Sequence, residues 1–314
     1  MSVADALRLA WMPGINNCTG ARSTTTQQML RPNVVTPSNS PIENGFRLYV
    51  ANPSKTTNYF GHETDRFATA AFESMLIDDR NANLPRSAAW LLIRSYYAAF
   101  FSVHALLRLH GWACARITPN DARGVEAQFM GLYGSSRVVP GGLYLIRAEA
   151  GGVELNFEQL AMRNGGSHEA LWSLLPSLIE QFSSSALQGD QEDYQQLVSV
   201  LSDFTTTVDS YGGPLWFTRI RNDINYSHSR GTWFPYEQST VDYDRLQRRL
   251  DTWISADAPS SLRRIGGELE VFASACAFIL TLCQISVRDL SRRSRANSPF
   301  RKSSALVLGM GRRP

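Results

Sequence analysis

Cysteine is scarce in this chain of 314 residues, which contains four cysteines and five histidines. No Cys-x-x-Cys pair occurs, and the histidines form no metal-ligand spacing with the cysteines. A disulfide framework and a structural zinc site both need clustered ligands, so neither is expected. The sequence therefore predicts no metal site, no cofactor and a reducing, cytoplasmic setting.

Long hydrophobic runs are also lacking. Asp5 stands where a signal peptide needs apolar residues. The most apolar segment, Val271–Val287, has 17 residues and contains four polar side chains, whereas a membrane-spanning helix needs about 20 mostly apolar residues. We predict that this segment is a buried core helix and that the protein does not enter a membrane.

Lysine is nearly absent, with Lys55 and Lys302 against 29 arginines. The net charge of +3 is unevenly placed: residues 288–314 hold eight basic residues and one acidic residue, so the rest of the chain sums to −4. Arginine is suited to bidentate contacts with phosphate. The basic tail is predicted either to contact RNA phosphates or to be a solvated terminus.

Helical patterns dominate the sequence. Residues 85–110 contain no proline or glycine after Pro85, and their apolar side chains surround much of the helix circumference. This pattern predicts a long helix that is buried on more than one side. The other predicted helices are Asp65–Asp78, Ser167–Leu187, Gln191–Ser210, Pro214–Arg230, Val241–Ile254 and Gly267–Leu290.

Two stretches interrupt the helices. Residues 12–45 are rich in Asn, Thr, Ser, Pro and Gly, which predicts a loop or an extended arm, and a short strand follows at Gly45–Ala51. Residues 114–166 are rich in glycine and are predicted to form an insertion between helices. Within it, Leu143–Arg147 and Gly152–Phe157 are candidate strands of a small hairpin.

Candidate chemistry lies between Trp216 and His228. At about 100° per residue, Arg221, Asn225 and His228 share one face of a helix. Asn222 sits beside them. Arg221, Asn222, Asn225 and His228 are called the polar ridge below.

The polar ridge has the residue types that metal-free RNA cleavage needs. RNA carries its own nucleophile, the ribose 2′-hydroxyl, so the enzyme must move protons near neutral pH, which suits histidine. It must also stabilise negative charge on the phosphorane, which suits arginine. We predict that Arg221, His228 and Asn222 are catalytic. The alternative is an ordinary solvated helix face on which His228 bonds a backbone group.

Four further residues are candidates for binding substrate: Asn225, Arg219, Arg230 and Arg94. Arg94 lies inside the long apolar helix, where an unpaired charge is costly, so it reaches solvent, pairs with an acid or projects into the active cleft. Exposed aromatic residues beside the ridge could stack on bases, and buried ones belong to the core. The aromatic residues concerned are Trp216, Phe217, Trp233, Phe234 and Tyr236.

Two segments resemble the HEPN superfamily (higher eukaryotes and prokaryotes nucleotide-binding). Arg221-Asn222 followed by His228 resembles its signature, an arginine, commonly followed by a polar residue, with four to six residues before a histidine. The segment Arg94–Leu107 resembles its long early helix. The order agrees as well, since the Arg–His helix comes late and an apolar helix follows it.

The resemblance implies an α-helical domain that forms a homodimer in which the two Arg–His helices face one another. Many members are metal-independent ribonucleases of toxin or defence systems, and others only bind nucleotides or RNA. Carried over, Arg221 stabilises the scissile phosphate, His228 is the acid–base residue, and Asn222 orients the phosphate or the imidazole. HEPN toxins paired with nucleotidyltransferase antitoxins carry a tyrosine two residues after the histidine. Arg230 stands at that position, which argues against adenylylation by such an antitoxin.

The expected fold class is therefore mainly α: a HEPN-like helical bundle over residues 81–290, with an N-terminal extension (1–80), a small inserted element with a hairpin pattern (about 114–166) and a basic tail (291–314). The expected function is a metal-independent endoribonuclease of a bacterial defence or toxin system that acts on RNA as a homodimer. An antitoxin or a defence-complex protein is the class of protein partner expected. The alternative is a non-catalytic nucleotide- or RNA-binding sensor or adaptor, and residues 1–80 can also be interpreted as a separate partner-binding element.

Overall fold

The computed structural model describes residues 3–20, 25–76, 87–134, 137–160, 166–188, 192–227, 229–233, 241–255 and 261–309. These residues form a mixed α/β protein in which helices predominate and five strands make one antiparallel sheet. The expected fold class, a mainly α, HEPN-like helical bundle with a small inserted hairpin, is therefore wrong.

Helices alternate irregularly with strands along the chain. The helices are α1 (Val3–Arg8), α2 (Thr26–Met29), α3 (Pro53–Met75), α4 (Ala88–Leu109), α5 (Pro119–Tyr133), α6 (Ser167–Ser173), α7 (Leu175–Leu187), α8 (Glu192–Ser210), α9 (Trp216–Asn222), α10 (Tyr243–Leu250), α11 (Thr252–Ser255), α12 (Glu268–Arg293) and α13 (Ser304–Val307). The strands are β1 (Val35–Ile42), β2 (Gly45–Val50), β3 (Trp112–Ile117), β4 (Gly142–Glu149) and β5 (Glu154–Gln159). Short 3₁₀-helices span Ile15–Asn17, Ala150–Gly152 and Pro299–Arg301, and a π-helix spans Asp223–Ser227.

The chain divides into two compact units. The helical unit contains residues 1–10, 67–103 and 171–289, and the sheet unit contains residues 11–66, 104–170 and 290–314. Each unit is assembled from segments that are far apart in the sequence. Arg221, Asn222 and Asn225 of the polar ridge fall within the helical unit, and the five strands named above belong to the sheet unit.

The sheet has the strand order β1-β2-β5-β4-β3, and every neighbouring pair is antiparallel. The two candidate strands do pair, since β4 lies beside β5 with Ile146 opposite Phe157, but they belong to a five-stranded sheet and not to a separate small hairpin. A two-stranded hairpin is marginal by itself, since both of its edges stay open. β2 pairs with β5 and β3 pairs with β4. Strands from the predicted extension and from the predicted insertion therefore share one sheet.

β1 lies inside residues 12–45, where the sequence predicts a loop or an extended arm. The strand contains Pro37 and Pro41, and proline cannot donate a hydrogen bond to a neighbouring strand. β1 stands at one end of the strand order, where proline is tolerated. The strand predicted at Gly45–Ala51 is confirmed as β2.

The core of the sheet unit is built by alternation along the strands. Phe46, Leu48 and Val50 of β2 are buried, and the residues between them are more exposed. The ring of Phe46 stacks on that of Phe157 in β5, with 4.6 Å between the ring centroids. Period-two burial of this kind is what an antiparallel sheet with one buried face requires.

The described part of the basic tail is folded into the sheet unit. Phe300 is fully buried in the hydrophobic core. Ser304 donates hydrogen bonds to Asp65 Oδ1 from its backbone nitrogen at 3.1 Å and from its hydroxyl at 2.7 Å. The exposed basic side chains of this segment are Arg292, Arg293, Arg295, Arg301 and Lys302.

The helical unit packs around aromatic side chains. Trp172 in α6 is fully buried, stacks on Phe217 at 4.3 Å between centroids, and donates from its indole nitrogen to the hydroxyl of Tyr96 at 3.0 Å. Phe204 in α8 lies 4.9 Å from Phe278 in α12. α1 contacts both α7 and α8. The apolar stripes of these helices thus meet in one core.

Two helices, α4 and α12, are long and apolar enough to cross a membrane by length and composition alone. Of the most apolar stretch of each helix, 78% in α4 and 89% in α12 is buried inside the protein. Burial of this extent is compatible with core helices of a soluble protein. The prediction that Val271–Val287 forms a buried core helix is confirmed by α12.

Candidate functional site

The polar ridge begins on α9. Trp216 and Ile220 are buried on this helix, and Ile224 is buried one turn later. The ring of Trp216 stacks on that of Tyr211 at 4.4 Å between centroids, and its indole nitrogen donates a hydrogen bond to Glu268 at 3.0 Å. These contacts fix the side of α9 that faces the core.

The helix does not continue as a regular α-helix. From Asp223 to Ser227 the backbone forms a π-helix, which has more residues per turn. The prediction that Arg221 and Asn225 share a face assumed about 100° per residue, so that angular argument does not hold beyond Asn222. π-helical turns inside α-helices are rare, and those that occur are often found at functional sites.

Arg221 is held in place by neutral groups. Its Nη1 donates to Oδ1 of Asn222 at 2.8 Å, and its Nη2 donates to the hydroxyl of Tyr97 at 3.0 Å. Its guanidinium carbon lies 5.7 Å from the ring centre of Tyr226 and 6.0 Å from that of Tyr97. An amide and two tyrosines therefore position this half-buried cation.

No carboxylate within the described ranges pairs with Arg221, and its buried Nε makes no hydrogen bond to any described residue. Burial acts to lower the pKa of Arg221, but the hydrogen bond with Tyr97 and the neighbouring tyrosines outweigh it, so the pKa is raised. The guanidinium therefore stays charged. A fixed cation whose charge no described carboxylate balances is suited to bind an anion such as phosphate.

Arg230 and Arg219, in contrast, are paired with acidic side chains. Arg230 donates to Oδ2 of Asp223 from Nη2 at 2.6 Å and from Nε at 3.1 Å, and it also pairs with Glu268. Nη2 of Arg219 lies 3.3 Å from Oε1 of Glu268. Burial acts to raise the pKa of Glu268, but the hydrogen bond from Arg230 and the neighbouring donors lower it. Both predicted substrate-binding arginines thus have their charge balanced within the protein.

Arg94 binds the C-terminal end of α3. Its Nε donates to the carbonyl oxygen of Ser74 at 2.9 Å, and its Nη2 donates to that of Leu76 at 3.0 Å. The last carbonyl groups of a helix lack intrahelical partners and carry partial negative charge, so they stabilise a cation. Helix capping is thus the observed role of this side chain, which the sequence did not suggest.

The structure brings Arg221 and Asn222 together but does not place the whole ridge. Asn222 is exposed and accepts a hydrogen bond from Arg221, and Asn225 is half-buried in the π-helix. His228 lies outside the described residues. The distance between Arg221 and His228 therefore stays a prediction.

The aromatic candidates divide between core and surface. Trp216 and Phe217 are buried, whereas Trp233 is half-buried. Phe234 and Tyr236 lie outside the described residues.

Sequence reasoning missed three aromatic residues at this site: Trp90, Tyr97 and Tyr226. Trp90 and Tyr97 flank Arg94 at the spacing that places residues on one helix face, and that signal was available in the sequence. Tyr226 follows Arg221 by five residues, which a regular α-helix places far around the axis. No spacing rule for an α-helix could have paired them.

The cysteines offer no reactive thiolate. All four are buried and free. Burial raises the pKa of Cys114 to about 11 and that of Cys18 to about 12. Both thiols are therefore protonated near neutral pH and are poor nucleophiles. Within the part of the chain that the structure describes, no group of three or more His, Cys, Asp or Glu side chains is placed to hold a metal ion.

The site thus consists of a positioned arginine, an adjoining amide and a set of aromatic rings. Comparisons with protein-family models, with curated proteins and with solved structures give no match to this chain. The resemblance to the HEPN superfamily rests on its two sequence segments alone, and it enters below as support for a proposal.

Proposed function

We propose that this protein is a metal-independent endoribonuclease of the HEPN type, which acts in the cytoplasm as the effector of a bacterial defence or toxin system. Arg221 binds the scissile phosphate, His228 moves protons, and Asn222 orients the phosphate or the imidazole. One observation carries the proposal: the described residues hold the guanidinium of Arg221 in place and leave its charge unbalanced. A phosphate supplied by a ligand completes that arrangement.

The reaction uses the nucleophile of RNA itself. The ribose 2′-oxygen attacks the adjacent phosphorus, an oxygen–phosphorus bond forms, and the hydroxyl proton passes to a base. The bond from phosphorus to the 5′-oxygen of the next nucleotide breaks, and that oxygen takes a proton from an acid. The products are a 2′,3′-cyclic phosphate and a 5′-hydroxyl, so the atoms balance without another reactant.

The two proton transfers explain the need for a second protomer. Histidine suits both transfers because its ordinary pKa lies near neutrality, and arginine balances the added charge of the phosphorane. One chain supplies one Arg221–His228 pair. In a homodimer with facing ridges, one histidine accepts the proton while the other donates one.

An assay in EDTA tests the enzymatic role. Purified wild type, His228→Ala and Arg221→Ala are incubated with total RNA and with tRNA, and the fragment ends are identified. We expect cyclic-phosphate ends from the wild type and a rate loss of about 100-fold or more in each variant. Arg264→Ala is the matched control, because it removes a surface arginine of the same unit that pairs with Asp203. Equal cleavage by wild type and His228→Ala would contradict the proposal.

The alternative is a non-catalytic nucleotide- or RNA-binding sensor or adaptor that uses the same ridge. One observation favours it: Arg230, Arg219 and Arg94 already have partners inside the protein, which leaves Arg221 as the ridge cation available to a ligand. A phosphorane carries more charge than the phosphate it derives from, and one cation stabilises it less than two. RNA binding that Arg221→Ala weakens, without cleavage by the wild type, would favour this alternative. In both cases the protein partner expected is an antitoxin or a subunit of a defence complex.

A further inference from the structure

Exposed aromatic side chains stand on α4 and on the π-helix, and both of these elements supply contacts to Arg221. Trp90 in α4 is 59% exposed, and Tyr226 in the π-helix is 72% exposed. Most other large aromatic rings of this unit, such as Trp172, are buried. Large aromatic surface left open beside a fixed cation is typical of a binding site.

Trp90 is joined to the ridge through Trp233. The two indoles form an edge-to-face pair with 5.4 Å between centroids and 84° between planes. The indole nitrogen of Trp233 donates to the carbonyl oxygen of Ile224 in the π-helix at 2.7 Å. The backbone nitrogen of Ala89 donates to the carbonyl oxygen of Thr232 at 3.0 Å, which fastens this segment to α4. Trp90 and Trp233 therefore have fixed positions relative to the π-helix.

Tyr226 is joined to α4 from the other side. Its ring centre lies 5.7 Å from the guanidinium carbon of Arg221, which in turn donates to the hydroxyl of Tyr97. Tyr97 follows Trp90 by seven residues, which is two turns or about 10 Å along the same helix face. Contacts thus run from Trp90 through Trp233 to the π-helix, and back through Arg221 to α4.

We propose that Trp90, Trp233, Tyr226 and Arg221 form a platform for single-stranded RNA, with bases stacked on Trp90 and Tyr226 and a phosphate on Arg221. The inference rests on the proposed function, because it specifies the substrate of the same site. An edge-to-face neighbour covers at most one face of an indole, so Trp90 keeps a face for a base. Bases in a duplex are already stacked on one another, and the platform therefore selects unpaired RNA.

Charge decides between a nucleic acid and an apolar partner. An apolar occupant would bury Arg221 without a carboxylate partner from any described residue, which is costly. A nucleotide supplies both a planar base and an anionic phosphate. Exposed rings in the same unit as a fixed arginine match that pairing, as in proteins that bind single strands.

Binding of uncleavable RNA tests the platform separately from cleavage. A 2′-O-methyl RNA has no free 2′-hydroxyl, so it cannot react by the proposed route. Fluorescence anisotropy on the full chain measures its affinity as a single strand and within a duplex. We expect the single strand to bind about tenfold more tightly, and Trp90→Ala and Tyr226→Ala each to weaken single-strand binding by about tenfold. Trp90→Phe and Tyr226→Phe keep a ring and should recover most of the affinity.

Two controls separate stacking from charge and from surface position. Ile265→Ala truncates a side chain of the same unit that is 88% exposed, and it should bind as wild type does. Arg221→Ala removes a phosphate contact, so the slope of log affinity against log salt should fall by about 0.7. Trp90→Ala should leave that slope unchanged.

The outcomes distinguish this inference from the proposed function. Equal affinity for single strand and duplex, or wild-type binding by both alanine variants, would overturn the platform even where His228 is required for cleavage. RNA binding that depends on Trp90 and Tyr226, without cleavage by the wild type, would overturn the proposed ribonuclease activity and support the platform. Sedimentation velocity tests whether a second copy of this chain occupies the platform instead of RNA. If Trp90→Ala converts a dimer to a monomer and leaves the RNA affinity unchanged, the proposal is also overturned.

Discussion

Replacement of Trp172 by alanine should destabilise the helical unit strongly. The side chain is fully buried, its ring lies nearly parallel to that of Phe217 with 9° between planes, and its indole nitrogen bonds Tyr96. A buried tryptophan removes about 150–250 Å² from water, which at about 25 cal/mol per Å² sets an upper bound of roughly 6 kcal/mol. Truncations of buried Phe or Trp to Ala typically cost about 3–5 kcal/mol. We expect a loss of about 4 kcal/mol in the free energy of unfolding.

Trp90→Ala is the matched control for this substitution. It removes the same residue type from the same unit, but its side chain is 59% exposed, so the expected loss is below about 1 kcal/mol. Trp172→Phe provides an intermediate case. It keeps a ring against Phe217 and loses the hydrogen bond to Tyr96, for an expected loss of about 1.5 kcal/mol.

Urea unfolding followed by far-ultraviolet circular dichroism measures these differences. The free energies of unfolding are compared with the same slope against urea concentration for all variants. The melting temperature of Trp172→Ala should be roughly 10 °C below that of the wild type. The loss of stability should follow the burial of the side chain. A loss for Trp90→Ala as large as that for Trp172→Ala, or a loss below about 1 kcal/mol for Trp172→Ala, would refute this expectation.

Three further substitutions test the sheet unit and the ridge. Asp65→Asn keeps an acceptor for Ser304 and removes an ionisable carboxyl group. Burial raises the pKa of Asp65, and the hydrogen bonds from Ser304 oppose this effect without cancelling it. Because the folded pKa exceeds the unfolded one, wild-type stability should fall as the pH rises through that interval while the Asn variant stays level in urea titrations. Gly61→Ala should cost about 1–3 kcal/mol in the same assay, because the new Cβ would lie 2.5 Å from Sγ and 2.7 Å from Cβ of Cys18. Adding Cys18→Ala removes Sγ and keeps that Cβ, so it should restore only part of the loss. The ionised Glu268 stabilises the wild type above the ordinary carboxyl pKa, and this contribution is lost as the pH falls through the lowered folded pKa. Glu268→Gln should lack the contribution, so the plots of stability against pH for wild type and variant should converge in acid.

The long helices could be predicted from the sequence because their apolar patterns are continuous. Residues 88–109 of the predicted helix 85–110 form α4, and Gly267–Leu290 corresponds to α12 to within three residues at each end. Both are buried on most sides, so their composition alone marks them.

The sheet could not be assembled from local patterns. Pro37 and Pro41 make the segment of β1 resemble a loop in the sequence. The pairing of β2 with β5 joins residues that no local sequence pattern connects. α5 is hidden by Gly124 and Gly131, although a capping box at its start was a usable signal. At neither glycine would an added Cβ meet another atom within 4 Å, so packing does not explain either of them.

The candidate site divides in the same way. Spacing along one helix identified Arg221 and Asn222, which the structure joins by a hydrogen bond. The hydroxyl that holds the other side of Arg221 comes from Tyr97, 124 positions earlier in the chain. Helical periodicity gives the face of a residue but not its neighbour on another helix, and it assumes an α-helix where this chain forms a π-turn.

The strand order has a consequence for synthesis of the chain. Arg47 in β2 pairs with Asn156 in β5, 109 positions later. A ribosome adds about 5–20 residues per second, so β2 waits roughly 5–20 seconds for its partner. Throughout that interval the nascent hairpin of β1 and β2 presents an open edge that other chains can extend. The weak point of recombinant production is therefore expected during translation. A chaperone that covers extended segments should raise the soluble yield more than stabilising the finished fold.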